Sequence, residues 1–135
     1  MLVASDKKIL IVDDNLMNRK IFMGLLKHSE MKIYEADSGK ACIELLKENK
    51  FDIIFLDHMM PEMDGIETLH IIKTMKDNLN KDTPIIALTA NAMDDARKYY
   101  TGEGFSDYLA KPIEPHKLDE LICKILPEIK MIRKY

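Results

Sequence analysis

Short apolar runs alternate with longer amphipathic segments along most of the chain. The runs are rich in isoleucine and leucine and are too short for helices, so each predicts a buried β-strand. They lie at 9–12, 32–36, 53–56, 84–88 and 108–110. The second run is less apolar than the others and predicts a weaker strand.

The segments between these runs place apolar residues at the spacing of a helix face. The first helix carries an apolar stripe that is predicted to face the core. This stripe consists of Met17, Ile21, Phe22, Leu25 and Leu26. The second stripe lies at 41–46, and the third helix begins at a capping-box-like Asp64 and Glu67 and carries Leu69, Ile72 and Met75. A fourth helix is predicted over 92–100, ended by Gly102 and Gly104. The fifth carries Leu118, Leu121, Ile122, Ile125 and Leu126 and stops near Pro127.

This order of elements predicts an α/β fold with a doubly wound, five-stranded parallel sheet and helices on both faces. The connections are short, so right-handed crossovers are expected. A length of 135 residues suits a single domain. We expect the domain to occupy 8–126, after a disordered or short N-terminal lead at 1–7 and before a tail or linker stub at 127–135.

Composition excludes several classes of protein. The chain is 47% hydrophobic and 32% charged with a net charge of -3, which suits a normal core without a basic stripe, so direct nucleic-acid binding is not expected. Cys42 and Cys123 lie in apolar periodic segments and are predicted to be buried thiols rather than a disulfide or metal site. No apolar run is long enough to insert in a membrane and no signal-peptide pattern begins the chain, so a cytoplasmic location is expected.

Chemically active side chains stand at the predicted carboxyl ends of four strands. Asp13 and Asp14 follow the first strand, Asp57 the third, Thr89 the fourth and Lys111 the fifth. Carboxyl ends of parallel strands meet at one edge of the sheet, where ligands bind near the topological switch point. Singly, each residue has an ordinary interpretation as a helix cap, a strand end or an exposed turn. Their joint placement favours a shared site.

The residue types at this edge favour phosphoryl chemistry. Three neighbouring carboxylates repel one another, and a hard divalent cation such as Mg²⁺ removes that cost because it prefers oxygen ligands. A lysine ammonium and a threonine hydroxyl can both bind phosphoryl oxygens. An aspartate can itself be the nucleophile and form an acyl phosphate. The set therefore suits phosphoryl transfer, in which positioning and charge neutralisation dominate catalysis.

Four motifs make the pattern specific when taken in order. They are Val12-Asp13-Asp14-Asn15, then Asp57 with Met60-Pro61 and Met63-Asp64-Gly65, then Leu88-Thr89-Ala90, and finally Lys111-Pro112. With these motifs, from about residue 8 to 126, the chain resembles the receiver domain of two-component response regulators, the family that includes the chemotaxis regulator. The resemblance implies the flavodoxin-like (βα)5 fold with strand order 2-1-3-4-5.

The resemblance also implies an acceptor and a metal site. Asp57 would accept a phosphoryl group from phosphohistidine. Asp13, Asp14 and Asp57, with the backbone carbonyl of Met59, would bind Mg²⁺, for which Mn²⁺ can substitute. On this resemblance the domain is not an enzyme beyond its own phosphotransfer and dephosphorylation.

Further roles follow from the same resemblance. Thr89, Ala90 and Lys111 would bind the phosphoryl group, and Thr89 and Tyr108 would form the conformational switch. A local change of charge would thus bias a bistable element. The fourth helix, the fifth strand and the fifth helix would form the output surface.

The motifs look most like receivers of hybrid sensor kinases, in which the receiver is one module of a longer chain. A histidine kinase or histidine phosphotransfer domain would be the phosphodonor, and a downstream protein effector would read the output. A stand-alone regulator, a weak homodimer and tethering to a membrane kinase in a parent chain are left open.

Two other functions compete with this interpretation. An aspartyl-nucleophile phosphatase needs a second acid two residues beyond the nucleophile, where this chain has Met59. A receiver-like interaction module that is not regulated by phosphorylation would usually lose the acidic pair or the lysine, and this chain keeps both. His58, beside Asp57, is predicted to be an exposed structural histidine rather than a phosphohistidine.

Overall fold

The computed structural model describes residues 2–90 and 94–129. Its sheet has five parallel strands in the order β2-β1-β3-β4-β5, which confirms the predicted fold and strand order. The strands are β1 Lys8–Val12, β2 Lys32–Ala36, β3 Ile53–Asp57, β4 Ile85–Thr89 and β5 Asp107–Ala110.

Within residues 2–90 and 94–129, five α-helices connect or follow the strands. They are α1 Leu16–Leu25, α2 Gly39–Glu48, α3 Gly65–Thr74, α4 Ala96–Glu103 and α5 Pro115–Ile125, with a short 3-10 helix at Lys27–Ser29. Polar residues fix where three of them begin. The side chains of Asn15, Ser38 and Asp64 each accept a hydrogen bond from a backbone N–H in the first turn of α1, α2 and α3.

The sheet separates two apolar cores, because successive side chains of a strand point to opposite faces. Ile9 and Ile11 of β1 enter the core covered by α1 and α5. Leu10 and Val12 enter the core covered by α2, α3 and α4. The strands are therefore buried on both faces, which is why their sequences are continuously apolar.

Helix α1 departs from the prediction on its apolar stripe. Phe22 and Leu26 are buried, but Met17 and Ile21 are 66% and 56% exposed. The prediction that these two residues face the core is wrong, because α1 packs on the sheet through a narrower face than its apolar pattern suggests. Together with the exposed Leu16, they form an apolar surface, here called the α1 patch.

Helix α4 also differs from its predicted bounds. The helix begins at Ala96 and runs to Glu103, so Gly102 lies inside it rather than ending it. Gly104 ends the helix with a φ of 117°, a left-handed conformation that glycine adopts without steric cost. The predicted start at Ala92 falls outside the described residues.

Both ends of the described chain pack against the domain. Leu2 and Ile129 are buried in the core beneath α1 and α5. Lys7 Nζ lies 2.9 Å from a carboxylate oxygen of Glu128, which joins the two ends by an ion pair. Over the ranges that the structure describes, we find no helix with the length and apolarity needed to cross a bilayer.

Candidate functional site

Four strands deliver polar side chains to one edge of the sheet, as predicted. Asp13 directly follows β1, Asp57 and Thr89 are the last residues of β3 and β4, and Lys111 directly follows β5. Thr89 stands opposite Ala110 in the β4–β5 register, which brings Lys111 level with the end of β4. All of these positions lie at the carboxyl edge that the topology predicts for a ligand site.

The Lys111 ammonium joins two nearly buried carboxylates. Lys111 Nζ donates to Asp13 Oδ2 at 2.9 Å and to Asp57 Oδ1 at 3.0 Å. Asp13 is 2% exposed and Asp57 is 5% exposed, whereas Asp14 beside them is exposed. The Lys111 ammonium is therefore hydrogen-bonded to both buried carboxylates.

Local hydrogen bonds hold Asp13 in place from the chain that follows it. The backbone N–H of Asn15 donates to Asp13 Oδ1 at 2.9 Å, and Arg19 donates to the Asp13 carbonyl oxygen at 2.7 Å. Arg19 in turn pairs with Glu35 of β2 at 3.0 Å. Sequence reasoning gave Arg19 no role in positioning this acid, because its partner Glu35 lies on a separate strand and leaves no local signal.

The electrostatics of the two central groups are coupled. Burial raises the pKa of Asp57, the neighbouring Asp13 carboxylate raises it further, and the hydrogen bond from Lys111 opposes both. Burial by itself would lower the pKa of Lys111, but the hydrogen bonds and charges of Asp13 and Asp57 outweigh it and raise that pKa. The ammonium therefore stays charged at neutral pH. The unfavourable electrostatic free energy of the site is that of ionising the buried Asp57 carboxyl.

Gly65 allows the loop after β3 to pass close to the site. Its backbone N–H donates to the His58 carbonyl oxygen at 2.7 Å. A Cβ at this position would overlap the Asp57 carbonyl oxygen and would lie 2.9 Å from His58 Cα. Glycine is therefore required where α3 begins against the end of β3.

The ends of β4 and β5 are joined at the site. The Lys111 backbone N–H donates to the Thr89 carbonyl oxygen at 2.8 Å, and the Lys111–Pro112 peptide bond is cis. Thr89 is buried, and Ala90 after it is exposed. Tyr108, three residues before Lys111 on β5, is half-buried.

The two residues that follow Asp57, His58 and Met59, differ in burial. Met59 is exposed. His58 is half-buried, and its Nδ1 lies 2.8 Å from the Tyr100 hydroxyl oxygen. The prediction of an exposed histidine is therefore wrong, because Tyr100 lies too far along the sequence for a local pattern to reveal the contact.

The acidic residues suit a hard divalent cation. One carboxylate oxygen from each of Asp13, Asp14 and Asp57 lies within 4.8 Å of the others. These donors are all oxygens, which Mg²⁺ prefers, and one exposed member leaves room for the waters that Mg²⁺ keeps. The site thus defines an α/β domain with three neighbouring carboxylates and a lysine at the carboxyl edge of its sheet.

Comparison with known proteins agrees with this class. Residues 9–123 match the response regulator receiver domain family, and the chain belongs to that family. It is a receiver domain of the kind found in two-component systems. Receiver domains of this family generally bind Mg²⁺ at an acidic cluster equivalent to the one described above.

The similar curated proteins include histidine kinases and a sensor protein. The chain is 39% identical over 119 residues to the signal transduction histidine-protein kinase BarA of Escherichia coli, covering 88% of this chain and 13% of that kinase. It is 31% identical over 118 residues to the sensor protein GacS of Pseudomonas syringae, with 87% and 13% covered. The chain therefore corresponds to a small part of the length of these relatives.

Solved structures of receiver domains have the same fold. The receiver domain of the Francisella response regulator 1452 aligns with a TM-score of 0.79 and 27% identity, covering 91% of this chain and 98% of that one. The receiver domain of the sensor histidine kinase PA1611 of Pseudomonas aeruginosa also gives a TM-score of 0.79, with 28% identity and 90% and 98% covered. That structure has a magnesium ion coordinated in its active-site cleft.

Proposed function

We propose that Asp57 accepts a phosphoryl group from a phosphohistidine donor and that the product is an aspartyl phosphate. The observation that carries this proposal is the Lys111 ammonium, which lies 3.0 Å from Asp57 Oδ1 and 2.9 Å from Asp13 Oδ2. In the transfer, an O–P bond forms at one carboxylate oxygen of Asp57 while the N–P bond of the donor imidazole breaks. The bonding pair returns to the imidazole nitrogen.

The metal ligands of this proposal are the carboxylates of Asp13, Asp14 and Asp57 and the backbone carbonyl of Met59. A bound Mg²⁺, or Mn²⁺ in its place, would offset the repulsion between the carboxylates and the charge of the phosphoryl oxygens. Lys111 keeps its own positive charge at neutral pH, because its acidic partners raise its pKa. In this proposal it would bind a phosphoryl oxygen on Asp57.

Thr89, Ala90 and Tyr108 complete the proposed response. The Thr89 hydroxyl and the backbone of Ala90 would bind the phosphoryl group, since both stand at the end of β4 next to Asp57. The backbone N–H of Lys111 donates to the Thr89 carbonyl oxygen, so a shift of either residue would also shift β5 and Tyr108. Thr89 and Tyr108 are the switch residues of this proposal.

The phosphodonor is proposed to be a histidine kinase or a histidine phosphotransfer domain, and the output a protein effector. The α1 patch supports a protein donor, because its apolar side chains lie on the helix that directly follows Asp13 and Asp14. Exposed apolar surface of this kind marks protein interaction sites. The parent protein would be a hybrid histidine kinase or a stand-alone regulator, given the identity to parts of such kinases.

Intact-mass spectrometry after incubation with acetyl phosphate tests the acceptor. We expect a single phosphoryl adduct that needs Mg²⁺, and its absence from Asp57→Asn. Asp82→Asn is the matched control, because Asp82 is exposed on the loop before β4. An adduct of equal yield in Asp57→Asn would refute the assignment, and steady release of phosphate from small esters would instead favour a phosphatase.

A further inference from the structure

A side-chain hydrogen bond connects the end of β3 to α4. His58 Nδ1 and the Tyr100 hydroxyl oxygen lie 2.8 Å apart, and either atom can donate, depending on the tautomer of the imidazole. The two rings meet edge to face, with centroids 5.5 Å apart. Tyr100 is 2% exposed, so its hydroxyl depends on this neighbour for its hydrogen bond.

The backbone of His58 is fixed to the frame of the site. Its N–H donates to the Leu88 carbonyl oxygen of β4 at 3.0 Å, and its carbonyl oxygen accepts from the Gly65 N–H at 2.7 Å. His58 also directly follows Asp57. The position of its ring is therefore determined by the end of β3, by β4 and by the start of α3.

On its other side, Tyr100 packs against Tyr108. The two rings are nearly parallel, with an interplanar angle of 23° and centroids 6.1 Å apart. Phe105 meets the Tyr100 ring edge-on at 5.7 Å, and the Arg97 guanidinium lies 5.9 Å from the Tyr108 ring centre. A continuous set of contacts thus runs from His58 through Tyr100 to the half-buried Tyr108.

We propose that His58 is a positioning residue, whose hydrogen bond to Tyr100 couples the β3 end to α4 and favours the arrangement of Tyr108 seen here. This proposal rests on the function proposed for Asp57. The bond is made while Lys111 joins Asp13 and Asp57, so it stabilises this arrangement relative to one in which α4 and Tyr108 have moved.

The size of the effect follows from the worth of one hydrogen bond. Losing a net hydrogen-bond contribution changes a two-state equilibrium about two- to tenfold. The rate of phosphorylation by a small donor scales with the population of the reactive arrangement, if that arrangement is the minor one. Removing the bond should therefore speed phosphorylation of Asp57 by about two- to tenfold.

A buried tyrosine that merely satisfies its hydroxyl would behave differently. Loss of the hydroxyl would then lower stability without raising the phosphorylation rate. The rate of phosphorylation therefore distinguishes coupling from simple packing, because a loss of stability alone also speeds the amide exchange of α4.

The experiment compares Tyr100→Phe and His58→Ala with wild type at one pH, by the initial rate of acetyl phosphate labelling with Mg²⁺ and by amide hydrogen exchange over Ala96–Glu103. Tyr99→Phe is the matched control, because Tyr99 is adjacent and 39% exposed. His58→Asn is the conservative variant, since its amide places a polar atom near the position of Nδ1. The double variant tests whether the two changes act through one bond.

We expect faster labelling and about two- to tenfold faster α4 exchange in both Tyr100→Phe and His58→Ala, with no further change in the double variant. Tyr99→Phe and His58→Asn should resemble wild type. Unchanged or slower labelling in both single variants, or additive effects in the double variant, would overturn the proposal.

Failure of the proposed function has a separate signature. In that case wild type itself takes up no phosphoryl group at Asp57. Amide exchange alone then tests the coupling. Unchanged α4 exchange in His58→Ala would refute it. Faster α4 exchange in His58→Ala that does not rise further when Tyr100→Phe is added would support it.

Discussion

Replacing Asp57 by asparagine should stabilise the domain when no divalent cation is bound. The buried carboxylate is attracted by Lys111 at 3.0 Å, which at an effective dielectric constant of about 20 amounts to about 5.5 kcal/mol. The Asp13 carboxylate, within 4.8 Å, repels it by at least about 3.5 kcal/mol on the same scale. The exposed Asp14 adds about 1 kcal/mol in water-like surroundings.

These direct terms cancel to within about 1 kcal/mol, so the cost of burying the charge decides the sign. The same conclusion follows from the pKa of Asp57, which burial raises above its ordinary value of 3.8. Asparagine keeps an oxygen that accepts from Lys111 and removes the charge. We therefore expect the free energy of unfolding at pH 7 to rise by on the order of 1 kcal/mol.

The pH dependence has a defined sign. Because the pKa of Asp57 is raised in the folded state, the unfolded chain loses this proton first as pH rises, and wild type loses stability through that range. The advantage of Asp57→Asn should therefore be larger at pH 7 than in acid, and it should vanish about one unit below the ordinary value of 3.8, where the wild-type carboxyl is protonated in both states.

Urea unfolding followed by circular dichroism, in a chelator and then in Mg²⁺, measures both effects. Saturating Mg²⁺ at about 100 times its dissociation constant should stabilise wild type by about 2.7 kcal/mol and stabilise the variant less. Asp82→Asn should stay within about 0.5 kcal/mol of wild type. A less stable Asp57→Asn at pH 7 in chelator would refute the reasoning, since the attraction to Lys111 would then outweigh repulsion and burial.

Three further predictions test other parts of the structure. Lys111→Met leaves two buried carboxylates without their shared cation and should lower the free energy of unfolding by about 2 to 4 kcal/mol, measured in urea at pH 7. Gly65→Ala should cost about 1 to 3 kcal/mol in the same assay because its Cβ overlaps the end of β3, whereas Gly24→Ala, on an open helix face, should gain about 0.5 to 1 kcal/mol. Cys123 is only partly buried, contrary to the prediction of two buried thiols, so it should react with a thiol reagent in the native protein. Burial raises the pKa of Cys42 to about 12 and should protect that thiol until unfolding.

Each of these has an outcome that would contradict it. Equal stability of Lys111→Met would mean that water compensates the carboxylates. A stable Gly65→Ala with unchanged Mg²⁺ affinity would mean that α3 can move away from β3 at little cost. Native labelling of Cys42 at the rate of Cys123 would mean that the core beneath α2 opens readily.

The strands and the site residues were predictable from sequence for the same physical reason. A strand buried on both faces must be apolar throughout, so the point where it stops being apolar marks the sheet edge. Asp57 ends such a run in Ile53–Asp57, and Thr89 ends another in Ile85–Thr89. Strand order leaves no such mark, and it was available only from the resemblance to a known family.

The errors have equally specific causes. An apolar stripe gives the direction of a helix face but not its covered width, so Met17 was indistinguishable from the buried Phe22. Gly102 lies inside α4, where an added Cβ would have no neighbour within 4 Å, so neither a turn nor a close approach requires glycine there, and the sequence does not reveal this. The contact between His58 and Tyr100 could not be predicted from local sequence, because it depends on how α4 packs near the end of β3 in the folded domain.

The charge balance at the sheet edge also explains how the proposed switch can respond to a small chemical change. An aspartyl phosphate would carry more negative charge than Asp57 and more acceptor oxygens, so Lys111 would share its ammonium less with Asp13. The Lys111 backbone is bonded to the Thr89 carbonyl, and Tyr108 lies three residues earlier on the same strand. A change in the partners of one ammonium therefore acts on the ends of β4 and β5 together. In the proposed switch the lysine would both stabilise the resting site and make its rearrangement depend on phosphorylation.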